Sequence, residues 1–242
     1  MKIIRGKKLY EGKANTLYEV VGEPNLIEME STDRISAGNG EKRDVIEGKG
    51  LTNNLISTAL FKLFEFHNIP THYICDGVTS NSKVVRKAKM IPLEVIGRYI
   101  AAGSFCKRYG VEPGTVFDAM TFELSYKNDE LGDPFVSESA AIFGLKIASA
   151  FDIAKIKDYT HSIGCWARYF FNQFDLTLVD FKVEFGYDCE TGKIILCDEF
   201  SPDTCRLWDK NGKSFDKDVF RKGLGNVQET YQNILKKIQD DK

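Results

Sequence analysis

Spacing that would mark a structural metal site is missing from this chain. Its six cysteines, Cys75, Cys106, Cys165, Cys189, Cys197 and Cys205, include no C-x-x-C pair, and its three histidines, His67, His72 and His161, form no H-E-x-x-H. Zinc is therefore not expected, and the cysteines are expected to serve mostly as small buried hydrophobes. No apolar run approaches the roughly 18 residues of a membrane span, and the N-terminal MKIIRGKKLYEGK lacks the apolar stretch of a signal peptide. Lys and Arg number 33 against 35 Asp and Glu, a formal net charge of -2, so nothing global favours nucleic acid or an anionic membrane. The expectation is a cytoplasmic protein with local anion sites and neither nucleic-acid nor membrane partners.

Two nucleotide-binding signatures also fail. Gly12-Lys13 is one residue too far from Gly6 for a Walker A loop, and Ala14 stands where Ser or Thr would hold magnesium. G-x-G-x-x-G breaks down at Gly38-Asn39-Gly40 and at Gly48-Lys49-Gly50, where Arg43 and Asn53 occupy the last position. Neither a P-loop nor a Rossmann architecture follows.

What remains is an ordinary globular composition, 43% hydrophobic, 28% charged and 12% aromatic. A chain of this length can bury roughly 70-75% of its unfolded surface. Residues 8-30 read as short strands: KLYEG, TLYEVV and LIEME around a Gly22-Glu23-Pro24-Asn25 break. Leu51, Leu55, Ala59, Leu60, Leu63 and Phe64 recur at helical spacing, with Asn53, Asn54, Thr58, Lys62 and Glu65 on other faces. Residues 71-78, 83-87 and 90-100 look like strands again. Later helical stripes run through Ile163, Trp166, Ala167, Phe170 and Phe174, and through Phe220, Leu224, Val227, Tyr231, Ile234 and Ile238 behind an N-cap at Asp216. The change of pattern near residues 88-100 suggests lobes at 1-89 and 90-242, with a ligand cleft between them.

The most informative stretch is residues 176-200. Strict alternation puts Leu176, Leu178, Asp180, Lys182 and Glu184 on one strand face and Thr177, Val179, Phe181, Val183 and Phe185 on the other. Glu190-Thr191-Gly192 suits a three-residue hairpin loop closed by Cys189 and Lys193, a register that sets Glu184 opposite Asp198. Carboxylates so paired, with Cβ atoms about 4.5-5.5 Å apart, repel each other and call for a cation. Magnesium beside nucleotide phosphates is one answer; Lys182 on the same face is another, and a one-residue bulge would undo the pairing. Asp203, Arg206 and Asp209 follow at once, Arg206 being a fork for phosphate or carboxylate. Two further anion candidates are the Gly12-Lys13 turn and Arg98 with Ser104, should a helix begin near Gly103.

Read together, KLYEGKA, KGLTNN, IPTH, MIPLEVIGRYIAAGSFCKRYG, YKNDELGDP, LVDFKVEFG, DEFSPDTCRLWD and DKDVFRKGLG closely resemble the SAICAR synthetase family, in order and over nearly the whole chain. The resemblance implies an α+β, two-lobed fold with a small antiparallel N-terminal lobe, a larger mixed lobe and ATP in the cleft. It implies a carbon-nitrogen ligase of purine biosynthesis: ATP, L-aspartate and the carboxylated aminoimidazole ribotide (CAIR) give SAICAR, ADP and phosphate, with magnesium as cofactor. By resemblance, Gly12, Lys13, Ala14 and Asn15 cover the ATP phosphates, and Val85 and Met90 hold adenine. Glu184 and Asp198 bind the metal, while Arg98, Ser104 and Arg206 grip the ribotide. Asp180, Lys182, Asp203 and Arg221 line the substrate pocket, with Lys13, Arg98, Lys182 and Arg206 as the catalytic set. Lys127, Asp129 and Asp133 match a motif without an assigned role. Asn15 departs from the lysine common in the family. A single-function enzyme is expected, and a homo-oligomer, a dimer being the simplest. A small-molecule kinase would also use a lysine and paired carboxylates, but H-R-D and D-F-G motifs are missing; a nucleotide-binding module without turnover would leave the charged strand face without a purpose.

Overall fold

Alternating strand patterns and turn residues translate directly into elements. The computed structural model describes residues 2-38 and 41-240; Asn39 and Gly40 lie outside the described residues. The strands are β1 (Arg5–Glu11), β2 (Asn15–Val20), β3 (Leu26–Ser31), β4 (Arg34–Ala37) and β5 (Lys42–Val45), followed by helix α1 (Lys49–Phe66). Next come β6 (Tyr73–Asp76), β7 (Ser82–Arg86), β8 (Ala88–Ile100), the short α2 (Ser104–Tyr109), β9 (Val116–Tyr126) and β10 (Phe135–Val136). The chain closes with α3 (Ala150–Asn172), β11 (Thr177–Asp188), β12 (Ile194–Cys197), β13 (Cys205–Trp208), α4 (Asp218–Lys222) and α5 (Val227–Asp240).

All strand pairs are antiparallel. One sheet has the order β1-β2-β3-β7-β6, a second β10-β9-β8-β11-β12 with β13 also on β11, and β4 and β5 form a separate ribbon. Sheets of this kind with segregated helices make the fold α+β. The main core is continuous: Ile56, Phe61 and Phe64 of α1 belong to the same buried cluster as Val95, Ile163, Phe181, Val183, Phe185 and Leu207. Each such side chain contributes about 1.5-3 kcal/mol by leaving water.

Several expectations change in the structure. The 176-200 hairpin is one residue out of the expected register: Glu184 faces Cys197, not Asp198, because Asp188 and Lys193 close a four-residue loop. A register shift between Leu178 and Asp180 also breaks the alternation, so that Leu178 joins the core cluster that holds Phe181. Helix α1 buries its polar face as well: Lys49, Asn53, Asn54, Ser57 and Thr58 are buried, whereas Leu51 is exposed. Helix α3 starts on a capping box, Ser149 accepting from the Asp152 N–H at 3.1 Å and Asp152 from the Ser149 N–H at 3.0 Å. Its buried stripe is Ile153, Ile156, Ile163, Ala167 and Phe171, with Trp166 and Phe170 only partly covered. The expected single helix from 220 to 238 is two, because Gly223 and Gly225 adopt φ of 65° and 147° and leave Leu224 exposed. Cys197 and Cys205 are buried, but Cys165 and Cys189 are exposed, so the cysteines are not mainly core residues.

Candidate active site

Strands β8 and β11 lie side by side, and their register sets Asp180 opposite Arg98, Lys182 opposite Ile96 and Glu184 opposite Glu94. Same-face alternation then directs Glu94 and Arg98 of β8, with Asp180, Lys182 and Glu184 of β11, toward one cleft of about 740 Å³. Gly12, Lys13, Ala14 and Asn15 line it from the other sheet, and Asp198, Asp203, Arg206 and Arg221 complete the expected residues that do. Val85, Met90 and Ser104 do not line it. Val85 is buried within β7, Met90 is exposed on β8, and Ser104 lies at the start of α2.

The acidic centre is organised by Lys182. Its Nζ donates to Glu184 Oε1 at 2.9 Å and Asp198 Oδ2 at 3.2 Å, with Glu94 Oε1 at 3.7 Å. Glu184 and Asp198 therefore converge on one cation despite the shifted hairpin register. Asp198 follows β12 with φ 59°, a left-handed conformation that aspartate tolerates better than most residues and that breaks the strand's alternation there. Lys127 Nζ reaches the other Glu184 oxygen at 2.6 Å. Burial raises the Glu184 pKa, but Coulombic attraction to Lys182 and Lys127, with hydrogen bonds from both, outweighs it and holds the carboxyl at about 2. Burial lowers the Lys182 pKa, and Asp198, Glu184 and Glu94 together raise it well above the ordinary lysine value. The set suits a divalent ion: two carboxylates already share one cation position, and Mg²⁺ is commonly held by one or two carboxylates plus water and phosphate oxygens. No cluster of three or more acidic, His or Cys ligands occurs among the described residues.

A second centre is built on Asp180, which is 4% exposed and so depends on its partners. Arg98 Nη1 and Arg206 Nη1 both donate to it, the latter at 2.8 and 3.1 Å from the two oxygens. Glu123 accepts from Arg98 Nε at 2.7 Å, and Ser104 Oγ lies 3.4 Å from Arg98 Nη2. Asp218 accepts from Arg206 Nε at 3.3 Å and from Arg221 Nη1 at 2.6 Å. Burial disfavours the charged Arg206, but Asp180 and Asp218 reverse this and raise its pKa. Gly103 stands against this guanidinium, since a Cβ there would lie 2.6 Å from Arg206 Nη2. At the cleft mouth Lys13 Nζ reaches Asp129 Oδ1 at 3.4 Å, both side chains being exposed, and Asn15 Oδ1 accepts from Ser31 Oγ at 3.1 Å.

Asp203 lines the cleft, but its carboxylate is consumed within the protein. Oδ2 accepts from Lys49 Nζ at 2.6 Å and Asn53 Nδ2 at 2.8 Å, and Oδ1 from Tyr231 OH at 2.8 Å. It ties α1 and α5 to the cleft floor. Behind Asp198, the fully buried Lys83 donates to Ser57 Oγ at 2.9 Å, and Ser57 Oγ accepts from the Phe200 N–H at 3.4 Å. Burial lowers the Lys83 ammonium to about 8 against the opposing pull of Glu199 and Asp198.

Sequence reasoning did not single out Glu94, Lys49, Asn53, Glu123, Lys217 or Asp218. Glu94 and Arg98 share parity in PLEVIGR, which was a usable signal; the others meet through tertiary contacts that no local pattern carries.

Comparison with known proteins places the chain in a family. The SAICAR synthetase family model matches residues 8-238. The phosphoribosylaminoimidazole-succinocarboxamide synthases of Streptococcus pyogenes and Finegoldia magna are each 45% identical, over 95% and 96% of this chain and 97% and 99% of their own. The Ehrlichia chaffeensis enzyme of the same name superposes with a TM-score of 0.92 at 38% identity, covering 96% of this chain and 98% of that one. A SAICAR synthetase solved in complex with ADP gives 0.90 at 39% identity, covering 95% and 96%. With a family match running almost end to end and relatives covered over nearly their full length, the chain belongs to the SAICAR synthetase family.

Proposed function

We propose that this protein is an ATP-dependent ligase that joins L-aspartate to the carboxylate of CAIR, giving SAICAR, ADP and phosphate through an acyl phosphate. The observation that carries the reading is the juxtaposition, in one cleft, of an acidic pair sharing a cation position and an Arg98–Asp180–Arg206 group whose guanidinium forks suit phosphate and carboxylate.

A carboxylate resists an amine nucleophile because its oxygen is a poor leaving group. Transfer of the γ-phosphoryl group to a CAIR carboxylate oxygen breaks the bond to ADP and makes that oxygen the bridge of an acyl phosphate, so that it can leave as phosphate. The aspartate amine then attacks the acyl carbon, the C–O bond to phosphate breaks, and the nitrogen gives up its proton. Positioning and charge compensation supply most of the catalysis in phosphoryl transfer, so no nucleophilic side chain is needed.

In this assignment Lys13 and the turn at residues 12-15 bind the nucleotide phosphates, and Lys182 and Lys127 offset charge around Glu184. Arg98 and Arg206, with Ser104 beside Arg98, orient the ribotide, and Arg221, linked to Arg206 through Asp218, lines the substrate pocket. Asp180 fixes both guanidinium groups, and Asp203 positions the floor. Glu184 and Asp198 would hold magnesium, which when bound would neutralise phosphate oxygens. Val85 and Met90 keep the adenine role by family resemblance. Lobes at 1-89 and 90-242, a cytoplasmic homo-oligomer and no nucleic-acid partner complete the reading.

Incubation with ATP, magnesium, CAIR and labelled aspartate tests it. Label must appear in the succinocarboxamide with one ADP per product; ATP turnover that is independent of aspartate and accumulates a phosphorylated acceptor would point instead to a kinase.

A further inference from the structure

The cations around the cleft are almost all matched to anions. Lys182 and Lys127 serve Glu184, Arg98 and Arg206 serve Asp180, Arg221 serves Asp218, and Lys13 touches Asp129. Lys217 is the exception: it lines the cleft, yet among the described residues its ammonium makes no ion pair within 4.0 Å and no side-chain hydrogen bond. Its backbone is anchored, the N–H donating to the Pro202 carbonyl at 3.0 Å and its own carbonyl accepting from Arg221 at 3.0 Å. The i,i+4 spacing brings Lys217 and Arg221 to one side of the α4 turn.

The surroundings explain why no internal anion completes it. Asp203 is the acidic group that acts on Lys217 most strongly, but Lys49, Asn53 and Tyr231 occupy both its oxygens. Glu199, the other, accepts from Ser201 Oγ at 2.8 Å. Burial disfavours the charged amine, Asp203 favours it, and Arg221 opposes it. A half-buried ammonium left uncompensated at the edge of a ligand cleft suits an incoming carboxylate.

We propose that Lys217, with Arg221 beside it, receives a carboxylate of the amine substrate, a dicarboxylic amino acid. The assignment rests on the ligase reading above. Arg98 and Arg206 are committed there to the ribotide, so the second acidic substrate needs its own cation. Lys217, which lines the cleft and feels Asp203 and Glu199, supplies one.

Steady-state kinetics of wild type, Lys217→Gln and Lys217→Arg test this, each substrate being varied with the others saturating. Lys217→Gln is expected to raise KM for aspartate roughly ten- to a hundredfold, the range for losing one charge-assisted hydrogen bond. KM for ATP and CAIR should stay within about twofold, and Lys217→Arg should recover part of the loss. An aspartate KM within about twofold of wild type, or a parallel rise in all three KM values, overturns the assignment. Wild-type protein that never incorporates aspartate counts against the ligase reading itself. If Lys217→Gln does not fold, reductive methylation of wild type read by mass spectrometry replaces it. Aspartate must protect Lys217 in the presence of CAIR and a non-hydrolysable ATP analogue, and equal labelling with and without aspartate overturns the proposal.

Discussion

Replacing Asp203 by asparagine should destabilise the protein more than any change at the cleft mouth. Asp203 and Lys49 have side-chain exposures of 3% and 1% and meet at 2.6 Å. Asparagine keeps one acceptor oxygen: set toward Tyr231, it puts an NH₂ group where an acceptor now serves both Lys49 and Asn53, and set toward Lys49, it turns the NH₂ on the Tyr231 hydroxyl. The lysine charge is left buried without its counterion. Removing one partner of a buried ion pair costs about 3-5 kcal/mol. For a chain of this size each kcal/mol lowers Tm by about 2-4 °C, so the expected fall is roughly 6-20 °C. Thermal unfolding of wild type, Asp203→Asn, Lys49→Met and the double variant measures it. The double variant should be less destabilised than the two single effects combined, by about 1-3 kcal/mol, since neither charge is then stranded. An Asp203→Asn protein melting within about 2 °C of wild type would refute the buried-counterion reasoning.

If Glu184 and Asp198 hold magnesium as proposed, Glu184→Gln and Asp198→Asn should each lower kcat by at least about a hundredfold, since the proposed phosphoryl transfer would lose that charge; near-normal turnover at limiting magnesium would remove the metal assignment. Glu184 also makes an acid-stability prediction. Held at about 2 against an ordinary 4.5, it contributes on the order of 3 kcal/mol that is fully present above pH 4.5 and is lost as pH falls toward 2. Glu184→Gln should flatten that part of the stability profile, as read by urea unfolding at stepped pH. Gly103→Ala should raise KM for CAIR at least about tenfold without disturbing the nucleotide, because the added methyl pushes on Arg206 and because φ 55° strains alanine. An unchanged CAIR KM would separate Arg206 from the ribotide.

The charged face of β11 was legible because Asp180, Lys182 and Glu184 share parity in one uninterrupted strand. The partner of Glu184 was not, since the register depended on a loop one residue longer than Glu190-Thr191-Gly192. Local pattern also cannot foresee that Asp198 turns left-handed after β12, and it is this that accompanies its return to Lys182. Helix α1 misled for another reason: an apolar stripe sets Asn53, Asn54 and Thr58 on faces away from the core, whereas all three are buried. The break between α4 and α5 was written in Gly223-Leu224-Gly225, but Leu224 fell in helical phase and masked it.

The fate of the CAIR carboxylate oxygens tests the central claim most directly. With ¹⁸O in that carboxylate, an acyl phosphate route must deliver one labelled oxygen to inorganic phosphate for each SAICAR formed. Unlabelled phosphate, with succinocarboxamide still accumulating, would show that the carboxylate was never phosphorylated and would contradict the account.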